Sequence, residues 1–173
     1  MLAVARARCP GTVGLRRAEA ESLPFRAGWF ERAVMRLVVH LVDRPRAFAE
    51  IRRVLGEPAR LVVATFDPSH FDEFWLNRFF PSLEAIDRAR FPTPDALRPE
   101  LAAAGFAGVG VTRLRQHGSV DRENALEKIR GRHISTFDLL DEDEYRAGLE
   151  RAERELPERV HYALDWVVVV ARC

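Results

Sequence analysis

Four sets of side chains in this sequence have types that could do chemistry. Glu19 and Glu21 sit in the run Glu19-Ala20-Glu21-Ser22-Leu23-Pro24-Phe25, and an ionised carboxylate is a pure hydrogen-bond acceptor, suited to an amine. His40 ends a valine-rich run, and an imidazole titrates near neutral pH, so it can serve as a general base. A structural histidine at a strand end would read the same way. Arg36 interrupts the same apolar run, and if buried it needs a carboxylate partner from a ligand or from the protein itself. Phe71, Phe74, Trp75, Phe79 and Phe80 form an aromatic cluster that either walls an apolar pocket or packs on the core.

Other constellations do not assemble. Ser69-His70 with Asp67 and Asp72 is a local cluster without a nucleophile turn. His70, His117, His133 and His161 lack paired metal-ligand spacing, so no metal site is expected. Gly108-Val109-Gly110 lies in a strand pattern, where it cannot open a helix as a phosphate loop does. The acidic run Asp141 to Glu144 suits the positive end of a helix dipole.

These residues must be positioned by strands and helices that the pattern also predicts. Met1 to Arg8 has the composition of a helix end, with basic residues in its last turn, stopped by Pro10 and Gly11. Thr12 to Arg17 reads as a short strand, and Leu23-Pro24-Phe25 with Gly28 as a turn region. Ala33 to His40 reads as a strand buried on both faces. Asp43 is a plausible N-cap with Pro45 in the first turn, and Phe48, Ile51 and Leu55 recur at helical spacing. Arg60 to Phe66 follows as a second buried strand, so strand, helix and strand make a right-handed parallel crossover. Ligands in open α/β sheets sit beyond the carboxyl ends of the strands, which brings Arg36, Leu37 and His40 to the ligand side. Further on come a helix from Thr93-Pro94-Asp95 to Gly105 and a strand from Val109 to Leu114. A helix capped by Asp141 and a last strand from Tyr162 to Ala171 complete the pattern.

In this order, the turn run, Phe30-Glu31-Arg32-Ala33, the strand to Val39-His40, Asp43 and Arg53-Val54-Leu55 resemble the middle of a class I S-adenosylmethionine-dependent methyltransferase (type 11-like). The resemblance covers about Thr12 to Pro68. It implies an α/β fold: a Rossmann-like methyltransferase sheet, N-terminally truncated, with a helical insertion before the last strand. It implies one partial domain over 1–173, with 1–68 as the cofactor-side half and 69–92 and 115–160 as acceptor or lid segments. It implies S-adenosylmethionine as cofactor, with the Glu19 carboxylate accepting from the adenine amine and the Ala20 amide donating to a ring nitrogen. Arg36 and Leu37 would line the methionine end, Phe71, Phe74 and Trp75 the acceptor pocket, and His40 is the candidate catalytic base. The family's glycine-rich loop and ribose carboxylate have no counterpart here, and Gly56-Glu57-Pro58-Ala59 replaces its usual turn. A chain of this kind is expected either to transfer methyl groups to a small-molecule acceptor or to persist as an interaction module without cofactor.

Composition narrows the partners. The chain has 173 residues, 47% of them hydrophobic and 31% charged, as in an ordinary globular domain. Its net charge of +1 creates no field for nucleic acid or an anionic membrane. Two cysteines are too few for a disulfide framework, which suits a reducing cytoplasm. The longest apolar run, Trp166 to Ala171, is too short to span a bilayer. Losing the sheet's first strands would leave a long strand unpaired, a route to homo-oligomers through an exposed edge.

Overall fold

The computed structural model describes residues 2–173, so the expected helix start at Met1 lies outside the described residues. Helix α1, Leu2–Arg8, ends in Arg6 and Arg8 and buries none of its residues. The strand expected at Thr12 to Arg17 does not form. Val13 is 47% exposed there, and Gly14 has open space around it, so the segment has no neighbour to pair or pack with.

Strand β1, Phe30–Arg36, leads into helix α2, Arg44–Val54, and then strand β2, Leu55–Phe66. The Asp43 side chain accepts from the Arg46 N–H at 3.2 Å, and Pro45 pre-sets the first turn, so α2 starts where the capping residues put it. β1 and β2 pair in parallel, from Arg32 opposite Arg60 to Arg36 opposite Ala64. Two short helices follow the sheet's first half, α3 at Ser82–Arg90 and α4 at Pro94–Ala103, preceded by 3₁₀ turns over Pro68–Glu73 and Trp75–Arg78. The long strand β3, Ala107–Asp121, then gives way to α5, Arg122–Arg130, and α6, Glu142–Glu155, before the last strand β4, Arg159–Arg172.

The four strands lie in the order β1-β2-β4-β3, with β4 antiparallel to both neighbours. This is the mixed α/β architecture expected, with β4 inserted between β2 and β3. Only residues 166–172 of β4 pair with β2; residues 159–165 pair with β3 alone. β3 and β4 therefore run on past the sheet as a two-stranded ribbon.

Two apolar clusters hold the molecule together. In the first, Phe48 and Ile51 of α2 and Leu97 and Leu101 of α4 pack on Met35, Leu61, Val63, Val167 and Val169 of the sheet. In the second, Phe80, Leu83, Leu126, Ile129, Phe137 and Tyr145 join the segments around α3, α5 and α6 beside the ribbon.

The expectation that the first strand is buried on both faces is wrong. Met35 is 5% exposed on the helix-covered face, but Val34 on the other face is 69% exposed. β1 is an edge strand, and α2 and α4 cover one face of the sheet, leaving Val62, Val168 and Val170 half-exposed on the other. The strand also stops earlier than expected, at Arg36 and not His40. Leu37 takes a left-handed backbone, φ 52°, while its N–H still donates to Ala64 O at 2.9 Å. That turn redirects the chain, so Val39 enters the core with no exposure and His40 falls in the following turn.

Candidate functional site

The run from Glu19 to Phe25 is held by α2. Its Ser22 N–H donates to Glu19 O at 3.1 Å, closing a tight turn. Glu21 accepts the Asp43 N–H at 2.7 Å, which places the turn at the start of α2, beyond the carboxyl end of β1. Glu50 accepts the Leu23 N–H at 2.7 Å, and Arg53 donates to Phe25 O at 2.9 Å and to Leu23 O at 3.2 Å. Glu50 and Arg53 also bond to each other at 2.7 Å. The bond from Arg53, with the Leu23 N–H adding to it, holds the Glu50 carboxyl down at about 2. Leu23 packs against the first apolar cluster, and Phe25 meets Phe30 edge-on at 4.9 Å between ring centroids.

Within this frame Glu19 is exposed, and Ala20 makes no backbone hydrogen bond among the described residues. A carboxylate and an adjacent amide, both free and on a pinned turn, are an acceptor–donor pair for a planar heterocycle with an exocyclic amine. The glycines upstream do not extend that site. Gly11 and Gly14 have nothing within 4 Å of an added Cβ, so neither forms a close backbone cradle. Among the described residues, the turn thus offers one acceptor–donor pair and the upstream glycines add no backbone cradle to it.

The strand ends bring a second group together. His40 stacks on Phe91 with centroids 3.8 Å apart and planes 19° apart. Phe91 in turn lies 4.7 Å from Phe71 and 6.2 Å from Phe66. Phe66 meets His70 at 4.4 Å and Trp166 at 4.6 Å, and Phe74 lies 5.3 Å from His70. An aromatic wall therefore runs along the carboxyl ends of β1 and β2, with a histidine at each side. Burial, with Arg90 nearby, lowers His40 to about 4, so the ring is neutral at pH 7. Its Nδ1 is buried without a partner. Burial also lowers His70, against the pull of Asp165. The His70 Nδ1 accepts the Asp165 N–H at 3.4 Å, and its Nε2 is buried and unpaired.

Arg36 is not the buried arginine that the sequence suggested. It is exposed, and its guanidinium lies over the Trp166 ring, 5.0 Å from the centroid, which is a cation–π placement in reach of solvent. Of the residues named from sequence, His40, Phe71 and Phe74 share the aromatic wall, and Leu37 and Arg36 precede it on the chain. Trp75 is half-buried against the second apolar cluster.

Beside the wall, between the 3₁₀ turn after β2 and the start of the ribbon, opens a notch of about 470 Å³. Trp166 and Leu114 supply its apolar surface, and Asp67, Asp72, Glu73, Asp165, Arg113 and Arg115 its charges. Arg113 faces Asp67 at 3.4 Å and Arg115 faces Asp165 at 3.5 Å. From sequence, Phe66, Phe91, Asp165 and Trp166 carry no site role, and His70 has only a place in a local cluster without a nucleophile turn. One signal was available: Asp165 is the lone charge inside the apolar stretch from Tyr162 to Ala171.

Known proteins share part of this sequence and its fold. Residues 1–63 match the family model described as a methyltransferase domain. A comparison with curated protein sequences gives no match. Among solved structures, a methyltransferase assigned to an antibiotic biosynthesis pathway of Anabaena variabilis superposes with a TM-score of 0.69 at 19% identity, over 95% of this chain and 77% of that one. A SAM-dependent methyltransferase of Thermotoga maritima gives 0.57 at 21% identity, over 99% and 68%. The [4+2]-cyclase SpnF gives 0.53 at 19% identity, over 99% and 60%. The fold is thus shared by proteins of different chemistry, and the reaction has to be argued from the site.

Proposed function

We propose that this chain is a class I S-adenosylmethionine-dependent methyltransferase domain serving methyl transfer to a small-molecule acceptor at the carboxyl edge of its sheet, a reading supported by the family match of residues 1–63 and the shared fold. The observation that carries the reading is the pinned turn at Glu19–Ser22, with a free carboxylate and a free amide, set at the start of α2 on the edge where the aromatic wall stands. Glu19 and Ala20 would hold the adenine ring. The bound cofactor supplies a methyl group on a sulfonium centre, already activated for transfer.

The chain's own residues then have three tasks. Phe71 and Phe91 are buried and back the aromatic wall against water, and the half-exposed Phe66 and Phe74 would meet the apolar body of an acceptor. The neutral His40 ring makes no side-chain hydrogen bond among the described residues; its Nδ1 is buried, so Nε2 is the nitrogen left to meet an acceptor hydroxyl or amine. With its pKa near 4 the imidazole is a weak base, so it orients the acceptor more than it removes a proton at pH 7. Positioning of this kind supplies much of the rate when the donor is already activated. A net charge of +1 gives no support to a nucleic-acid acceptor.

The test is titration with S-adenosylhomocysteine, followed by amide chemical shifts. The described residues lack several charged hydrogen bonds to the ribose and methionine ends, each worth roughly 1.5–3 kcal/mol, so binding should be weak, on the order of hundreds of micromolar or weaker. Glu19→Ala should weaken it about tenfold, the loss of one such bond. An unchanged affinity in that variant would leave Glu19 as a solvated carboxylate and overturn the assignment. Low-micromolar binding would equally contradict it, because contacts beyond this turn would then be holding the ligand.

A further inference from the structure

At the opposite end of the strands, three arginines stand in one row. Arg32 of β1 is the Cα partner of Arg60 of β2, and Arg60 is the partner of Arg172 of β4. Cross-strand partners project to the same face, here the face that no helix covers. All three are exposed. None of them makes an ion pair or a side-chain hydrogen bond with a described residue. Like charges directly opposite one another destabilise a sheet, and here the unfavourable pairing occurs twice in succession.

The row lines a pocket of about 780 Å³ that also includes Trp29, Glu31 and Glu57. Glu57 is engaged elsewhere, by Arg52 at 2.6 Å, which leaves Glu31 as the pocket's uncommitted carboxylate against three guanidinium groups. Arg26 adds a fourth cation beside it, stacked 4.2 Å from the centre of the Trp29 ring. The outer member of the row is held in place. The Cys173 N–H donates to Ala59 O at 3.0 Å, tying the end of β4 to β2. A bulge between Ala107 and Gly110, with Gly108 at φ 56°, lets the Arg172 stem lie across β3, its Cδ 3.5 Å from where a Cβ on Gly108 would stand.

We propose that the row Arg32–Arg60–Arg172 binds the phosphate groups of a free small molecule carrying a di- or polyphosphate. Adjacent strands lie about 4.8 Å apart, so the row spans roughly 10 Å. Two neighbouring guanidinium groups can bridge one phosphate, and the third reaches a second phosphate. Planar guanidinium forks match phosphate oxygens two bonds at a time and shed their water readily. Bound anion would also cancel the repulsion along the row. The site is separate from the carboxyl edge, because Arg32 and Arg36 lie at opposite ends of β1.

Inorganic pyrophosphate is the probe. Calorimetry, thermal melting and tryptophan emission should be run against sodium chloride at matched ionic strength. Pyrophosphate should bind, raise the melting temperature and change the emission of Trp29, while chloride does none of these. Arg60→Gln removes the central charge. It should raise the melting temperature without ligand, since it relieves the repulsion, and weaken pyrophosphate at least tenfold. Arg60→Lys should retain part of the affinity, and Arg146→Gln, an exposed arginine on α6, should retain all of it. Equal responses to pyrophosphate and matched chloride, or unchanged affinity in Arg60→Gln, would overturn the proposal. A response confined to vesicles containing phosphatidate, with none to free pyrophosphate, would overturn the soluble ligand.

Discussion

The charged residues around the Glu19 turn act mainly as fasteners. Glu50 is the central one, accepting from Leu23 and Arg53 together. Its carboxyl is held near 2 in the folded state against an ordinary value of 4.5. A lowered carboxyl contributes stability above its unfolded pKa and loses it as pH falls through the folded one. Urea melts of the native chain should therefore show a loss between pH 4.5 and 2 that Glu50→Gln lacks. His40 acts in the same direction but in a higher window. Its folded value of about 4 lies below the ordinary 6.5, so protonation favours the unfolded chain as pH falls from 6.5 toward 4. His40→Phe should flatten that part of the profile; an unaltered slope would show that the imidazole is not desolvated against Phe91. The Glu19 motif was legible because it is local, a run of adjacent residues. The aromatic wall was legible only at Phe71 and Phe74, because Phe91 reaches it from beyond α3 and Trp166 arrives only when β4 inserts beside β2.

At the scale of elements, α2 carries the packing between the sheet and the site. Phe48 is fully buried and Ile51 is 5% exposed against the sheet. Ile51→Ala should cost about 2–5 kcal/mol in chemical denaturation, as truncations in a packed core do. A change near zero would mean that the helix face is wrongly assigned. Gly148 in α6 gives a sharper case. An alanine Cβ there would stand 2.4 Å from Phe80 Cε1 and 2.7 Å from the Phe79 carbonyl oxygen. The gain in helix propensity, about 1 kcal/mol, is opposed by overpacking of roughly 1–3 kcal/mol, so Gly148→Ala should lower the melting temperature. Periodicity was enough to read α2, α4 and α6, whose caps Asp43, Thr93 and Asp141 all accept backbone N–H groups as their types suggest. It failed at Thr12–Arg17, because a strand exists only with a neighbour to pair with. It also failed at the end of β1, where the left-handed turn at Leu37 falls on a residue type that does not announce one.

The whole molecule consists of a half-covered sheet and a helical annex joined by the β3–β4 ribbon. One face of the sheet packs on helices, and the other presents valines between an arginine row at one end and the Trp166 edge at the other. Among the described residues, no helix is long and apolar enough to cross a membrane. The proposed function requires cofactor and acceptor to meet at the carboxyl edge of β1 and β2. The most direct measurement is a map of amide shifts across the chain as S-adenosylhomocysteine is added. The largest shifts should fall at Ala20 and its turn and at Leu37 to His40, with β3's Ala107–Gly110 bulge unmoved. Shifts concentrated elsewhere, or none at saturating ligand, would contradict it.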